Sequence, residues 1–330
     1  MRIRRDRALS LLVIAPSVLA VAIFVYGLII WTGYISTVKW ATLRPDYSPV
    51  GLANYMSIFA NNRFLMDIRN TVVFTIFFIG ASLIIGLLLA NLIDRKIRHE
   101  SIFRSIIVFP MAVSFIVTGV VWKWILSPGL PAVGPTAADP HGVNQLFGLD
   151  PATFKWLTDP QVLQLAPDSP AGKVLHDIGL GFVTSPNIGI PVALLSIVLA
   201  AVWQMSGFVM ILYLAGLRAI PEEIKEAARV DGASEWRVFR HVVFPLLTPI
   251  TLSAMIILGH ISLKIYDLTV AMSGSGPGFA TDTPALFMWQ TAFRDGEFGR
   301  GAAVAIVMLV IIAVVVVPYL VWNRRQGVEA

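Results

Sequence analysis

The residue types best suited to chemistry are few in this chain, and most common catalytic patterns are absent. There is no cysteine, which excludes a disulfide framework, thiolate metal sites and a Cys nucleophile. His99-Glu100 lacks a second histidine four residues on, so no helical zinc motif forms. No G-x-x-x-x-G-K-[ST] loop occurs; the Gly172-Lys173 pair is followed by Val174. Gly274, Gly276 and Gly278 surround Pro277, which suits a re-entrant turn better than a phosphate cradle between strand and helix. What remains are polar groups set inside apolar sequence: Trp203, Gln204, Ser206 and Phe208 in one stretch, and His260, Ser262, Lys264, Tyr266 and Asp267 in another. Aromatic faces suit a pyranose ring, and amides or carboxylates suit its hydroxyls. Polar groups at membrane depth are functional candidates by default. The plainer alternatives are helix–helix hydrogen bonding, an i, i+3 ion pair between Lys264 and Asp267, and a snorkelling Lys123.

The elements that must position these groups follow from composition. Hydrophobic residues make up 56% and charged residues 14% of the 330, and mean hydropathy is +0.76. A soluble domain is about 45–50% apolar and about 25% charged, so the bilayer is the solvent that fits. Long uncharged runs give an all-α integral membrane chain with six transmembrane helices, at 9–31, 71–93, 105–126, 190–216, 246–264 and 301–322. Each has the roughly 20-residue length that a bilayer requires. The first run continues well past the Ala20-Val21-Ala22 signal, too long for a cleaved leader. Basic residues set the orientation. Segments 1–7, 94–104, 218–241 and 324–330 hold 15 Lys and Arg in 49 residues, whereas 39–70, 123–189 and 264–300 hold 10 in 136. Both termini are therefore expected in the cytoplasm, and the basic balance is no sign of nucleic acid.

Two connecting segments stand out. Residues 123–189 form a long outer loop; its apolar punctuation by Phe147, Phe154, Trp156, Leu157 and Leu163 points to a folded cap rather than a solvated linker. The inner loop 218–245 reads as two short helices. Pro221 with Glu222 and Glu223 suits a helix start. Gly232 fits a left-handed position after it, and Ser234 an N-cap before the second helix. Trp236, Phe239 and Val243 are spaced as one apolar stripe, and Pro245 marks the return to the membrane. An amphipathic hairpin lying on lipid is the alternative.

Glu226-Ala227-Ala228, then Asp231-Gly232, then Pro245 resemble the EAA loop of ABC importer permeases. Trp203–Pro221 resembles the sugar-permease branch of that family, as do Gly51–Tyr55, Asn70-Thr71, Phe103-Arg104 with Pro110, Trp156–Pro160 and Ser262–Pro284. Departures are Tyr266, Ser273, Ser275 and the length of the 127–189 loop. The resemblance is to maltose-type carbohydrate-uptake permeases, nearest to those for glucose and mannose, and implies the type I importer permease fold in one domain over 1–330. It also implies a non-enzymatic transport subunit in a bacterial or archaeal cytoplasmic membrane, with no cofactor or metal of its own. The implied partners are a second permease, two ATPase subunits that bind ATP and Mg, and an extracytoplasmic solute-binding protein. Glu226, Ala227, Ala228, Asp231, Gly232 and Pro245 would meet the ATPase. Trp203, Gln204, Ser206, Phe208, Ser262, Lys264 and Asp267 are the expected sugar pathway. The single well-placed cation, Lys264, favours a neutral monosaccharide over a phosphate ester. Oligosaccharide or glycerol-phosphate permeases are the nearest alternatives. An ion-driven secondary transporter would show internal repeats, and a membrane enzyme would show clustered His, Asp or Glu; neither is visible.

Overall fold

The computed structural model describes residues 13–95, 98–127, 142–149, 155–164, 166, 168–170, 173, 177 and 188–326. The basic N-terminal segment, Phe154 and most of the proposed cap lie outside them. The helices follow in chain order: α1 (Val13–Ile35), α2 (Ala53–Phe59), α3 (Asn62–Asp94), α4 (Glu100–Val108), α5 (Phe115–Ile125), α6 (Val143–Leu146), α7 (Val192–Ala219), α8 (Glu222–Val230), α9 (Glu235–Leu246), α10 (Thr248–Leu263), α11 (Asp267–Met272), α12 (Pro284–Trp289) and α13 (Phe298–Gln326). A two-stranded antiparallel pair, β1 (Val162–Leu163) with β2 (Ile190–Pro191), sets Val162 opposite Pro191 and Leu163 opposite Ile190. Among the described residues four helices are long and apolar enough to cross a membrane: α1, α3, α7 and α13, the last counted as far as Pro318. Counting each of two bent pairs as one span raises the number to six.

The bent pairs correct the expected spans. Residues 105–126 are not one rod: α4 and a 3-10 turn at Phe109–Ala112 meet α5 at a 99° bend. Pro110 lies in that turn, Val113 is extended, and Ser114 caps α5 by accepting from the Val117 amide. A run of apolar letters carries no mark of this break beyond the proline. The 246–264 span likewise joins α9 at 60°, across Leu247. α3 begins nine residues before the expected 71, because its first turns hold Arg63, Asp67 and Arg69, which a search for uncharged runs rejects.

The chain forms two compact units. One comprises residues 1–64 and 287–330. In it α1 and α2 pack on α13, and Gly33 faces Ile306. Asn54 ties the turn after α1 by donating to the carbonyls of Ser36 (2.9 Å) and Val38 (3.0 Å). No residue of the apolar α1 window is buried, so lipid or another protein must cover it. The rings of Trp31, Tyr34 and Tyr47 gather at its end, as aromatic side chains do at a membrane boundary.

The other unit, residues 65–286, is built round α7, against which α4, α5, α10 and α11 pack. Lipid tails are as apolar as leucine, so close backbone approach must supply the cohesion. The glycines show where it does. A Cβ on Gly86 of α3 would strike Val209, one on Gly216 would strike Ile250, and one on Gly207 would strike the Ile107 carbonyl. The described part of the 123–189 region packs on the start of α7. Trp156 donates to Asn144 Oδ1 at 2.6 Å, Ser196 donates to the Trp156 carbonyl at 2.7 Å, and Leu157 is buried.

Candidate functional site

The loop between α7 and α10 is a helical hairpin whose first helix is largely exposed and whose second is anchored in the core by Val238 and Val243. α8 runs Glu222–Val230 with no buried residue, and Val230 is 86% exposed. Pro221 occupies the N-cap, with Glu222 and Glu223 in the first turn, where carboxylates oppose the positive helix end. Gly232 has φ +82° and nothing within 4 Å of a Cβ position. Its role is thus conformational and not one of close contact. Ser234 has the extended backbone of an N-cap, but its side chain makes no capping bond; the expected cap is absent.

Arg229 locks the two helices instead. Its Nε donates to Glu235 Oε1 at 2.8 Å and its NH1 to Glu222 Oε1 at 3.0 Å, while Lys225 donates to Glu222 Oε2 at 3.1 Å. These bonds hold the Glu222 carboxyl below the usual carboxylate range, with Lys225 the largest cause and Arg229 next. Glu235 and Glu222 in turn keep the Arg229 guanidinium charged.

Of the expected Trp236–Phe239–Val243 stripe, Val243 is buried and Phe239 packs against the core, while Trp236 does not. A π-turn spans Phe239–Val243, and the residues it buries are Val238, Val243 and Leu247. One extra residue per turn moves the buried face, leaving Trp236 exposed and stacked on Phe239 at 5.8 Å. Glu226, Ala227, Asp231, Gly232 and Pro245 are exposed; Ala228 is half-buried against the core. Beneath the hairpin, Arg218 at the end of α7 donates to Glu100 Oε1 at 2.8 Å and lies 3.5 Å from Asp94.

The membrane-depth candidates divide by burial. Trp203 is 41% exposed and meets Trp122 edge-on at 5.8 Å. It lies on the narrow uncovered strip of α7, with Leu199, Ile211 and Ala215. Lys264 and Asp267 are exposed; no hydrogen bond or ion pair joins them among the described residues. Gln204 is 2% exposed and donates from Nε2 to the Val113 carbonyl at 2.6 Å, across the break before α5. Ser206 is buried and reaches the Trp203 carbonyl at 3.4 Å. Ser262 is buried, accepts from Thr75 and donates to the Gly259 carbonyl at 2.8 Å. Phe208 is half-buried against the core. No hydrogen bond, ion pair or ring contact among the described residues links the Trp203 group to the Lys264 group.

A residue not among the expected site residues organises the glycine-rich turn. Asn70 of α3 is fully buried and donates to the carbonyls of Phe279 and Asp282, each at 2.9 Å. Thr281 Oγ1 donates to the Gly274 carbonyl at 3.0 Å and accepts from Ser273. Gly274, Gly276 and Gly278 have positive φ, as does Phe279 at +61°, a costly backbone state for an aromatic residue. The glycine spacing suggests a flexible re-entrant turn; the structure instead ties the turn down through the Asn70, Ser273 and Thr281 hydrogen bonds. Asn70 belongs to the Asn70-Thr71 pair of the family resemblance, which by itself says nothing of this anchor.

The hairpin is thus exposed and braced by its own ion pairs on a scaffold of long apolar helices. Residues 82–327 match the family described as "Binding-protein-dependent transport system inner membrane component", and the chain belongs to it. It is a multi-pass inner-membrane permease subunit of an ABC importer and not an enzyme. A protein of Pyrococcus horikoshii named as a probable ABC transporter permease is 36% identical over 98% of this chain and 99% of its own length. The xylose/arabinose import permease of Haloferax volcanii is 31% identical over 93% and 85% respectively. The structure of a bacterial alginate ABC transporter, in complex with an alginate-pentasaccharide-bound periplasmic protein, shares the fold at TM-score 0.69 and 18% identity over 98% of this chain and 96% of that one.

Proposed function

We propose that this chain forms, with a second permease, the pathway for a neutral sugar, driven by separate ATPase subunits and supplied by a solute-binding protein. The observation that carries the coupling half is the α8–α9 hairpin: Glu226, Ala227 and Asp231 are exposed on a hairpin that Ala228 seats against the core and Arg229 holds in shape. A connector with no partner has no use for such bracing. The sugar half draws support from the xylose/arabinose permease relative and from Trp203 on the open strip of α7. Phe208, Lys264 and Asp267 complete the pathway, while Gln204, Ser206 and Ser262 support it from behind through their bonds to the backbone. The one exposed cation beside one exposed carboxylate favours a neutral solute over a uronate or phosphate ester. Glucose or mannose is one choice within that class, and the relative's pentoses are another.

In this reading both termini and 218–241 face the cytoplasm and 123–189 faces outside. Two experiments test it. Proteoliposomes containing both permeases and the ATPase should take up sugar only with ATP and the binding protein; uptake by this chain alone would favour an ion-driven transporter. Single cysteines placed in this cysteine-free chain should react with an impermeant reagent on intact cells at position 150 and not at position 229. The reverse pattern would invert the topology.

A further inference from the structure

A cavity of about 510 Å³ lies behind the hairpin, on the side of α8 facing the ends of α3 and α7. Its apolar part is formed by Leu88, Leu217 and Val243, and its cations are Arg95, Lys225 and Arg229. We propose that it binds the headgroup of one anionic phospholipid. The inference rests on the membrane placement of the spans and not on which sugar is carried.

The charges in the cavity are mostly spoken for. Arg229 is held by Glu222 and Glu235, Lys225 by Glu222, and Asp94 lies 3.5 Å from Arg218. Arg95 alone of the three cations has no hydrogen bond or ion pair among the described residues. The cavity therefore presents about one uncommitted positive charge. A phosphodiester carries one negative charge and offers two oxygens to a planar guanidinium fork. Phosphate monoesters and nucleotides carry more charge than one arginine balances.

The apolar side of the cavity selects for lipid over free phosphate. Ile84, Leu88 and Leu92 recur every four residues along α3 and are all exposed, so they form a strip on one helix face. That strip ends at Arg95. An acyl chain lying along it would bring its phosphate to the guanidinium, as basic pockets between span ends do for anionic headgroups. The headgroup would then fill the space beneath Trp236 and α8, bracing the hairpin from behind.

The test uses the assembled transporter, extracted in mild detergent and examined by native mass spectrometry. Wild type should retain phosphatidylglycerol in preference to phosphatidylcholine. Arg95→Gln should lower that retention about fivefold, the effect of one cation near an anionic lipid. Arg95→Lys should keep most of it, and Arg237→Gln, at an exposed residue outside the cavity, should leave it unchanged. Equal retention by wild type and Arg95→Gln would overturn the proposal. So would equal binding of phosphatidylcholine, or displacement of the lipid by millimolar inorganic phosphate, which would make this an anion site with no lipid component. None of these readouts depends on sugar transport.

Discussion

Gln204 separates two roles that look alike in sequence: contact with the transported sugar, and support of the helix break. Its Nε2 meets the Val113 carbonyl at 2.6 Å, and its Oε1 is buried with no partner among the described residues. Replacing it with methionine keeps volume and removes both features. Orphaning a buried carbonyl costs about 1–3 kcal/mol, whereas side-chain hydrogen bonds inside membrane proteins average about 0.6 kcal/mol. Removing the unpaired Oε1 returns part of the loss. The expected net destabilisation is about 1 kcal/mol, or roughly fivefold in the folded-to-unfolded ratio. Gln204→Glu should be worse by up to about 3 kcal/mol at neutral pH, because the buried carboxyl must take up a proton before it can donate to the carbonyl. The assay pairs thermal unfolding in detergent with sugar-uptake kinetics in proteoliposomes. Support of the break predicts a lowered midpoint and reduced maximal rate at an unchanged KM. A wild-type midpoint with a KM raised tenfold would refute this reasoning and make Gln204 a sugar ligand.

Other expectations follow from the same geometry. Gly232→Val should strain the left-handed turn by about 1–2 kcal/mol and cut sugar-stimulated ATPase activity, while Gly232→Asn, which tolerates that conformation, should retain most of it; equal activity in both would make the hairpin inert. Glu226→Lys should insert normally yet lower the same stimulation, read beside binding-protein docking. The lowered pKa of Glu222 means its contribution to hairpin stability is present above the unfolded glutamate value and lost as pH falls through the lower folded value. The protection of α8 amides, taken relative to their intrinsic exchange rate at each pH, should then be steady from about pH 7 to 5 and fall only below about pH 4. Asn70→Leu removes two hydrogen bonds to carbonyls of the 273–283 turn and should lower the thermal midpoint, whereas a melt identical to wild type would show the turn holds without it. Asp267→Asn should reduce uptake, and a double neutral replacement with Lys264 should not restore it; full recovery would remove both from the pathway.

The existence of the spans was legible because hydrocarbon tolerates few charges, and the hairpin was legible because Pro221 and Gly232 are local conformational signals. The break at Val113 was not, since its cause lies in Gln204, some ninety residues away, and in Gly207 admitting the Ile107 backbone. Periodicity placed Trp236, Phe239 and Val243 on one face by assuming 3.6 residues per turn; the π-turn at Phe239–Val243 changed that count. Burial decided what spacing could not. Trp203 and Gln204 are neighbours in sequence, yet one is open and the other enclosed, because adjacent residues on a helix point about 100° apart. The start of α3 shows the converse limit: charges excluded it from a span although a helix can extend past the bilayer.

The strip formed by Leu199, Trp203, Ile211 and Ala215 has a consequence for how such a transporter changes its diet over generations. Nearly every other position of α7 is committed to packing, so most substitutions there would be tested first against folding. Those four face it less, with Trp203 held by its edge contact with Trp122. On the pathway proposed above, exchanging a tryptophan on the strip for a smaller or more polar group would alter what passes by it, with the scaffold left intact. Variation among descendants that import different solutes should therefore concentrate on one edge of one helix, and relatives with dissimilar substrates should still fold alike.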